Sequence, residues 1–336
     1  MNSPGSNAPG APAVEEGTAE HLPDRDISAV SPRRVVGVVG LGHMGTAFAQ
    51  NLMADGHRVL AYDRDPARVA ALRAEGAEGM SDLGGVAACD VALTSLPDDE
   101  ALKAVTLDGL VGSMRPGAVH LSTSTVSPGI SRLLAAEHER RGQGYVAVPV
   151  LGNPDLARSR GLFVIAAGKS AAVGAVRALL ERLGQRLFVV GEDPGAANLM
   201  KLAGNVLTAT TLKAMAEVLA LLQKGGVDRR VAFDVLTNSL FDSKVHRAYG
   251  GKIVDERYRP AGMVAPLAIK DLRLALAEAE REAVPMPAAS LVHDRLVGLV
   301  AGGGADLDWS ALGLLEARDA GLASSLQAGR ADSHEA

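Results

Sequence analysis

One lysine and two asparagines interrupt the otherwise apolar stretch GAANLMKLAGNVLTA, residues 195–209, where a buried helix is expected. Lys201 and Asn205 are four residues apart, so on a helix their side chains share a face and act as a pair. A buried ammonium loses its hydration, so it must find a partner, lower its pKa or snorkel its charge out to water. A structural ion pair needs an acid, and none stands between Gly195 and Ala216. Snorkelling needs a wet surface nearby. The third possibility is chemical. If the start of this helix borders a cofactor cleft, Lys201 can exchange a proton with a carbonyl oxygen, its pKa brought towards neutrality by burial, while Asn205 holds lysine and substrate in place. Residue chemistry alone leaves the snorkelling and catalytic readings both open.

A second constellation lies near the start of the chain. VVGVVGLGHMGTAFAQNLMADG carries G-x-G-x-x-G at Gly40, Gly42 and Gly45, after an apolar run and before a helical one. In that setting the glycines allow a tight turn, close backbone approach to a pyrophosphate and close helix–strand packing, with the helix N-terminus facing the negative charge. The whole loop Gly40, Leu41, Gly42, His43, Met44 and Gly45 is therefore expected to bind a dinucleotide. Downstream, the run RVLAY ends in Asp63 and Arg64. Asp63 stands where an acid would hold the ribose hydroxyls of NAD, whereas Arg64 is of the type that holds the 2′-phosphate of NADP. The neighbouring carboxylate would repel that phosphate, which favours NAD(H) over NADP(H).

The elements that must position these residues follow from periodicity. From Arg33 onward short apolar runs alternate with amphipathic segments: VVGVV (35–39), RVLAY (58–62), VALTSL (91–96), AVHLS (118–122), YVAVPV (145–150), LFVIAA (162–167) and RLFVV (186–190) read as strands. This alternation predicts βα units and a mostly parallel sheet, an α/β fold class. After Gly191 only helical patterns remain: a long one from about 194 to 224, then 228–239, 243–254, 267–284 and 287–301. The long helix is apolar nearly all the way round, and a partner subunit is its simplest cover. The chain thus divides into a tail at 1–32, a nucleotide-binding domain at 33–193, a helical substrate and dimerisation domain at 194–322, and a frayed end at 323–336. The Pro-, Gly- and Ala-rich first segment lacks the basic start and apolar core of a secretory signal and reads as disordered.

Composition narrows the function class. The 336 residues are 47% hydrophobic and 22% charged with a net charge of −5, a balance that suits a soluble globular protein and offers no basic patch for nucleic acid. No apolar run long enough to cross a bilayer is free of charge, so no membrane partner is expected. The single cysteine, Cys89, suits a reducing cytoplasm, and the eight histidines show no metal-binding spacing, so no metal is expected.

GLGHMG at 40–45, SLP at 95–97, STVSP at 124–128, VPVLGNP at 148–154, GAANLMKLAGN at 195–205 and KDLRLA at 270–275 stand in order along the chain. In these motifs the chain resembles the 3-hydroxyacid dehydrogenase family, which includes 3-hydroxyisobutyrate dehydrogenase and tartronate semialdehyde reductase and is related to 6-phosphogluconate dehydrogenase and imine reductases. The resemblance covers roughly 35–310. It implies a doubly wound Rossmann-like domain followed by an all-helical domain, with homodimers or larger assemblies built through the long helix. It also implies roles: Lys201 as the main catalytic residue, Asn205 as its partner, and cofactor contacts at Leu96, Pro97, Thr125 and Lys270. Without the resemblance, Lys270 and Asp271 are an ordinary helix-start pair.

Two departures from the family pattern concern the substrate. Leu151 stands where the family usually has a serine that helps bind a substrate carboxylate, and Asn153 replaces a glycine on the far side of Gly152. In the lysine motif Ala197 replaces a glycine, and Gly204 a second asparagine. A leucine cannot donate a hydrogen bond, so a more apolar or larger pocket is expected, with Leu151, Gly152, Asn153, Leu240, Phe241 and Tyr249 as candidate walls. His246 is a candidate donor or a solvated helix histidine. The expected function is an NAD(P)-dependent oxidoreductase moving a hydride between nicotinamide and a C=O/CH–OH centre of a small molecule, with Lys201 as general acid/base. The alternatives are an imine reductase, against which the retained lysine argues, and a non-catalytic nucleotide-binding scaffold.

Overall fold

The computed structural model describes residues 33–322; the two expected tails lie outside the described residues. The first half alternates strand and helix: β1 Val35–Val39, α1 His43–Ala54, β2 Arg58–Tyr62, α2 Pro66–Ala74, β3 Glu78–Gly79, α3 Leu83–Ala87, β4 Val91–Thr94, α4 Asp99–Val105 and, after a π-helical turn, α5 Val111–Ser113. Then follow β5 Val119–Ser122, α6 Pro128–Glu139, β6 Gly144–Ala147, β7 Val150–Leu151, α7 Pro154–Arg158, β8 Phe163–Ala167, α8 Ser170–Arg182 and β9 Arg186–Gly191. The strands lie in the order β3-β2-β1-β4-β5-β6-β8-β7, with β9 beside β8. From β3 to β6 all pairs are parallel; β8 runs antiparallel to β6 and β7 and parallel to β9.

Alternation along β1 shows why these runs become central strands. Val36 and Val38 pack into one apolar layer with Phe48 and Leu52 of α1, while Val39 packs into a second layer with Val86 and Leu110. Both faces are covered, so a continuous apolar run is what the position requires. The expected strand 145–150 is instead split. Pro149 has no N–H to give a ladder, so β6 ends at Ala147 and the chain turns into the short antiparallel β7. The two-residue β3 and the last helix have no counterpart among the sequence-based assignments.

Helices alone follow: α9 Pro194–Lys224, α10 Arg229–Thr237, α11 Lys244–Val254, α12 Ala265–Arg281, α13 Pro287–Ala301 and α14 Leu312–Asp319. Asp193 caps α9 by accepting from Gly195 N, Pro194 sits in its first turn, and Arg132 of α6 pairs with Asp193 at 2.8 Å. Ala197 lies in the sheet domain's core beside Ala147 and Ile165, whereas Leu202, Val206, Leu212, Met215 and Leu219 form the helical core with Leu272, Leu296 and Leu312. One helix therefore belongs to two cores, and Lys201 sits where it passes from one to the other. By length and composition α9 is apolar enough to cross a membrane, but half of its most apolar window is buried in this fold.

Candidate active site

Strand order reverses between β1 and β4, and the crevice at their C-terminal ends is where open α/β sheets bind ligands. The glycine loop leaves β1 there. Gly40 has φ +88°, and a Cβ at Gly45 would lie 1.8 Å from Gly40 O, so loop and helix touch backbone to backbone. At Gly42 a Cβ would meet nothing within 4 Å, and α1 starts without a side-chain cap. Open space beside uncapped N–H groups is what a pyrophosphate needs, so the loop fits a dinucleotide. His43 is exposed at the helix start, and Met44 packs on the sheet core.

Asp63 carries an additional duty. Its Oδ2 accepts from Leu41 N at 2.7 Å and its Oδ1 from Asp65 N at 2.8 Å, so the carboxylate fixes the glycine loop from the end of β2. Beyond it opens a cavity of about 840 Å³ lined by Tyr62, Asp63, Arg64, Arg73 and Met80. Another cavity, of about 500 Å³, lies between α6 and α8, apart from both constellations.

The loops after β4 and β5 are tied to one another and to α12. Leu96 N donates to Ser124 Oγ at 2.9 Å, and Lys270 Nζ donates to Pro97 O at 2.9 Å and Thr125 O at 2.6 Å. Lys270 lies in the second turn of α12, not at its start, and its ammonium clips both loops to the helical domain.

Lys201 is 9% exposed, which removes the snorkelling alternative. Its Nζ donates to Asn205 Oδ1 at 3.1 Å, and Asn205 Nδ2 donates to Asp271 Oδ2 at 2.6 Å. An ionised carboxylate only accepts, so Asp271 fixes the Asn205 amide with its nitrogen towards the carboxylate and its oxygen towards the lysine. Burial lowers the Lys201 pKa; the Asp271 carboxylate works against that shift, and the Lys270 ammonium adds to it. The missing acid is thus supplied by Asp271, distant in sequence and one amide removed from the lysine. Nothing in the spacing around Lys201 pointed to it. Asn198, one turn earlier, is also buried, and its amide finds no hydrogen-bond partner among the described residues.

The candidate walls separate. Leu151 is half-buried against α9. Gly152 turns at φ +139°, and Asn153 caps α7, its Oδ1 accepting from Leu156 N at 3.0 Å. Leu240 and Phe241 are exposed in the loop before α11. Tyr249, in contrast, packs edge-on to Trp309 in the helical core, so it is a core residue. His246 is half-buried at the start of α11, its Nδ1 2.7 Å from Ser243 Oγ, as a capping contact.

Residues 35–191 match the model of the NAD binding domain of 6-phosphogluconate dehydrogenase, and residues 195–315 match that of the NAD-binding region of NADP-dependent 3-hydroxyisobutyrate dehydrogenase. The chain is 30% identical to 3-hydroxyisobutyrate dehydrogenase of Pseudomonas aeruginosa, over 77% of its own length and 90% of that protein. It belongs to the 3-hydroxyacid dehydrogenase family. An uncharacterized oxidoreductase of Bacillus subtilis is 36% identical across 82% of this chain and 98% of that one. Among solved structures, 3-hydroxyisobutyrate dehydrogenase of Mycobacterium tuberculosis with L-serine superposes with a TM-score of 0.78 at 26% identity, covering 84% of this chain and 99% of that one. An imine reductase from Pseudomonas sp. shares the fold alone, at 20% identity and a TM-score of 0.56. The two family matches divide between β9 and α9, where strands give way to helices.

Proposed function

We propose that the protein is an NAD(P)-dependent dehydrogenase or reductase acting on a C=O/CH–OH centre, with Lys201 as its general acid/base. The observation that carries this reading is the Asp271–Asn205–Lys201 chain of hydrogen bonds at the domain junction. The bound nicotinamide supplies the hydride in one direction and accepts it in the other. Lys201 gives a proton to the carbonyl oxygen as negative charge develops there, and in the reverse direction its neutral amine takes the hydroxyl proton. Asn205 Oδ1 accepts from the lysine in either state, because both ammonium and amine carry an N–H. Asp271 keeps that oxygen in place. Lys270 holds the two loops that would border the nicotinamide.

NAD(H) is the proposed cofactor. The Asp63 carboxylate at the end of β2 supports it, since a 2′-phosphate brought beside it would meet like charge. A homodimer built along α9 is the proposed assembly, supported by the exposed Met200, Leu207, Val218 and Leu221, at 51%, 69%, 40% and 71% exposure, on one helix.

Reduced-cofactor consumption, with NADH and NADPH separately, should be followed across small semialdehydes, 2-oxo acids, uncharged aldehydes and cyclic imines. Carbonyl turnover with higher kcat/KM for NADH, lost in Lys201→Ala, is expected. Turnover of imines alone, or activity indifferent to the substitution, would show that the bond is wrongly assigned.

A further inference from the structure

The wall beside Lys201 on the β7 side is apolar. Lys201, Gly204 and Asn205 share one face of α9, and a Cβ at Gly204 would lie 2.9 Å from Leu151 Cδ2. The Leu151 isobutyl group thus rests on the backbone of α9 one turn from the lysine, in room left by the missing side chain. Across the strands Leu151 pairs with Phe163, whose ring centroid lies 4.8 Å from Lys244 Nζ and 6.4 Å from the Phe188 ring. Lys244 opens α11 just after Leu240 and Phe241, which are 95% and 49% exposed. Two large exposed hydrophobes therefore hang from the loop that reaches the Leu151–Phe163 edge.

At the Leu151 edge the cation present, Lys244, lies over the Phe163 ring, and the charges beside Lys201 are engaged with one another. The charged groups acting on Lys201 are Asp271 and Lys270. Lys270 already serves Pro97 O and Thr125 O and lies 3.1 Å from Asp271 Oδ1. A carboxylate laid against Leu151 would lose water and gain no donor from that side chain. An alkyl or aryl group there would bury apolar surface against it.

We propose that the site takes an aldehyde, ketone or alcohol whose substituent on the β7 side is an uncharged apolar group, with Leu151, seated on Gly204, as the residue that sets this preference. This inference rests on the reaction proposed above. Leu240 and Phe241 supply further apolar surface at the same edge.

The test compares kcat/KM for pentanal, 3-phenylpropanal and succinic semialdehyde in the wild type, Leu151→Ser and Lys201→Ala. The wild type should favour the uncharged aldehydes by about tenfold or more, and Leu151→Ser should shrink that ratio by a similar factor, mainly through KM. Cofactor affinity unchanged in Leu151→Ser confirms an intact fold, and the wild-type ratio does not depend on any variant. A wild type that favours the semialdehyde, or a ratio unmoved in Leu151→Ser, overturns the inference while leaving the reaction standing. Absence of turnover on any aldehyde, or turnover that survives Lys201→Ala, overturns the reaction and this inference with it.

Discussion

Lys201 and Lys213 are both buried on α9, at 9% and 7% exposure, and they solve the burial problem in opposite ways. Lys213 reaches two carboxylates, Glu217 on its own helix and Glu316 of α14 at 3.1 Å, and Glu316 is held in turn by Arg295 at 2.8 Å. Its charge is matched where it stands, and it ties α9 to α14. Lys201 meets a neutral amide, with the nearest carboxylate one residue further away. Lys213 is compensated by carboxylates in direct contact, whereas Lys201, with a neutral amide as its partner, has its pKa lowered by burial. The difference between structural and chemical lysine lies in the partner, since burial is common to both.

The comparison can be broken at either lysine. The largest effect is expected from Lys201→Ala, which should lower kcat for carbonyl reduction by about 10²–10⁴-fold while leaving cofactor affinity and Tm near the wild-type values. Steady-state kinetics with cofactor titration by fluorescence checks both parts; a residual rate close to the wild type would make Lys201 another Lys213.

A second way for buried bases to persist is to stay neutral, as His120 and His138 do. Gln143 Nε2 donates to Val111 O at 3.2 Å and Met114 O at 2.6 Å, which turns its oxygen to His138 Nδ1 at 2.8 Å. That oxygen can only accept, so His138 Nδ1 carries the proton, its Nε2 accepts from His120 Nδ1, and His120 Nε2 accepts from Thr94 Oγ1, each at 2.9 Å. Burial lowers both histidine pKa values, that of His138 to about 4. The folded pKa lies below the unfolded one, so this stability is present above pH ~6.5 and is lost as pH falls towards 4, by about 3 kcal/mol for His138. Urea unfolding at pH 7.5 and 4.5 should show the loss, and His138→Gln should reduce the difference.

Smaller effects sharpen the contrast between the lysines. Asp271→Asn removes the group that orients Asn205 and should cost kcat about 10²-fold, more than it changes KM. Lys213→Met should do the converse, with kcat within a few-fold of the wild type and stability lower by about 2 kcal/mol. That is less than breaking a fully buried pair costs, because Glu316 keeps Arg295. Stability loss in Asp271→Asn without a kcat effect, or the reverse in Lys213→Met, would exchange the roles assigned to the two regions.

Legibility in the sequence followed the range of the interactions involved. The bounds of α9 were readable because Asp193 and Pro194 start it, Gly225 ends it, and the apolar run between them is long. The glycine loop was readable because its three glycines, and the turn they make, lie within a single strand–turn–helix unit. Pro149 breaks the run 145–150, a local signal that the continuous apolar pattern masked. The partnership of Asn205 with Asp271 and the clip from Lys270 to Pro97 and Thr125 join segments far apart in the chain, and no local spacing encodes them. Lys213 went unread although Glu217, four residues on, is a local signal; its other partner, Glu316, comes from the last described helix. Tyr249, placed at the pocket by its neighbours in sequence, faces inward because α11 turns that side to Trp309.

The most direct test of Lys201 as a tuned acid is the pH dependence of kcat for aldehyde reduction in the wild type and in Asp271→Asn. Reduction requires the protonated lysine, so the rate should fall as pH rises through a pKa below the ordinary lysine value of 10.5. Asp271 raises that pKa, so its neutralisation should move the falling limb to lower pH. A profile flat to pH 10, or a limb that stays in place in Asp271→Asn, would contradict the account.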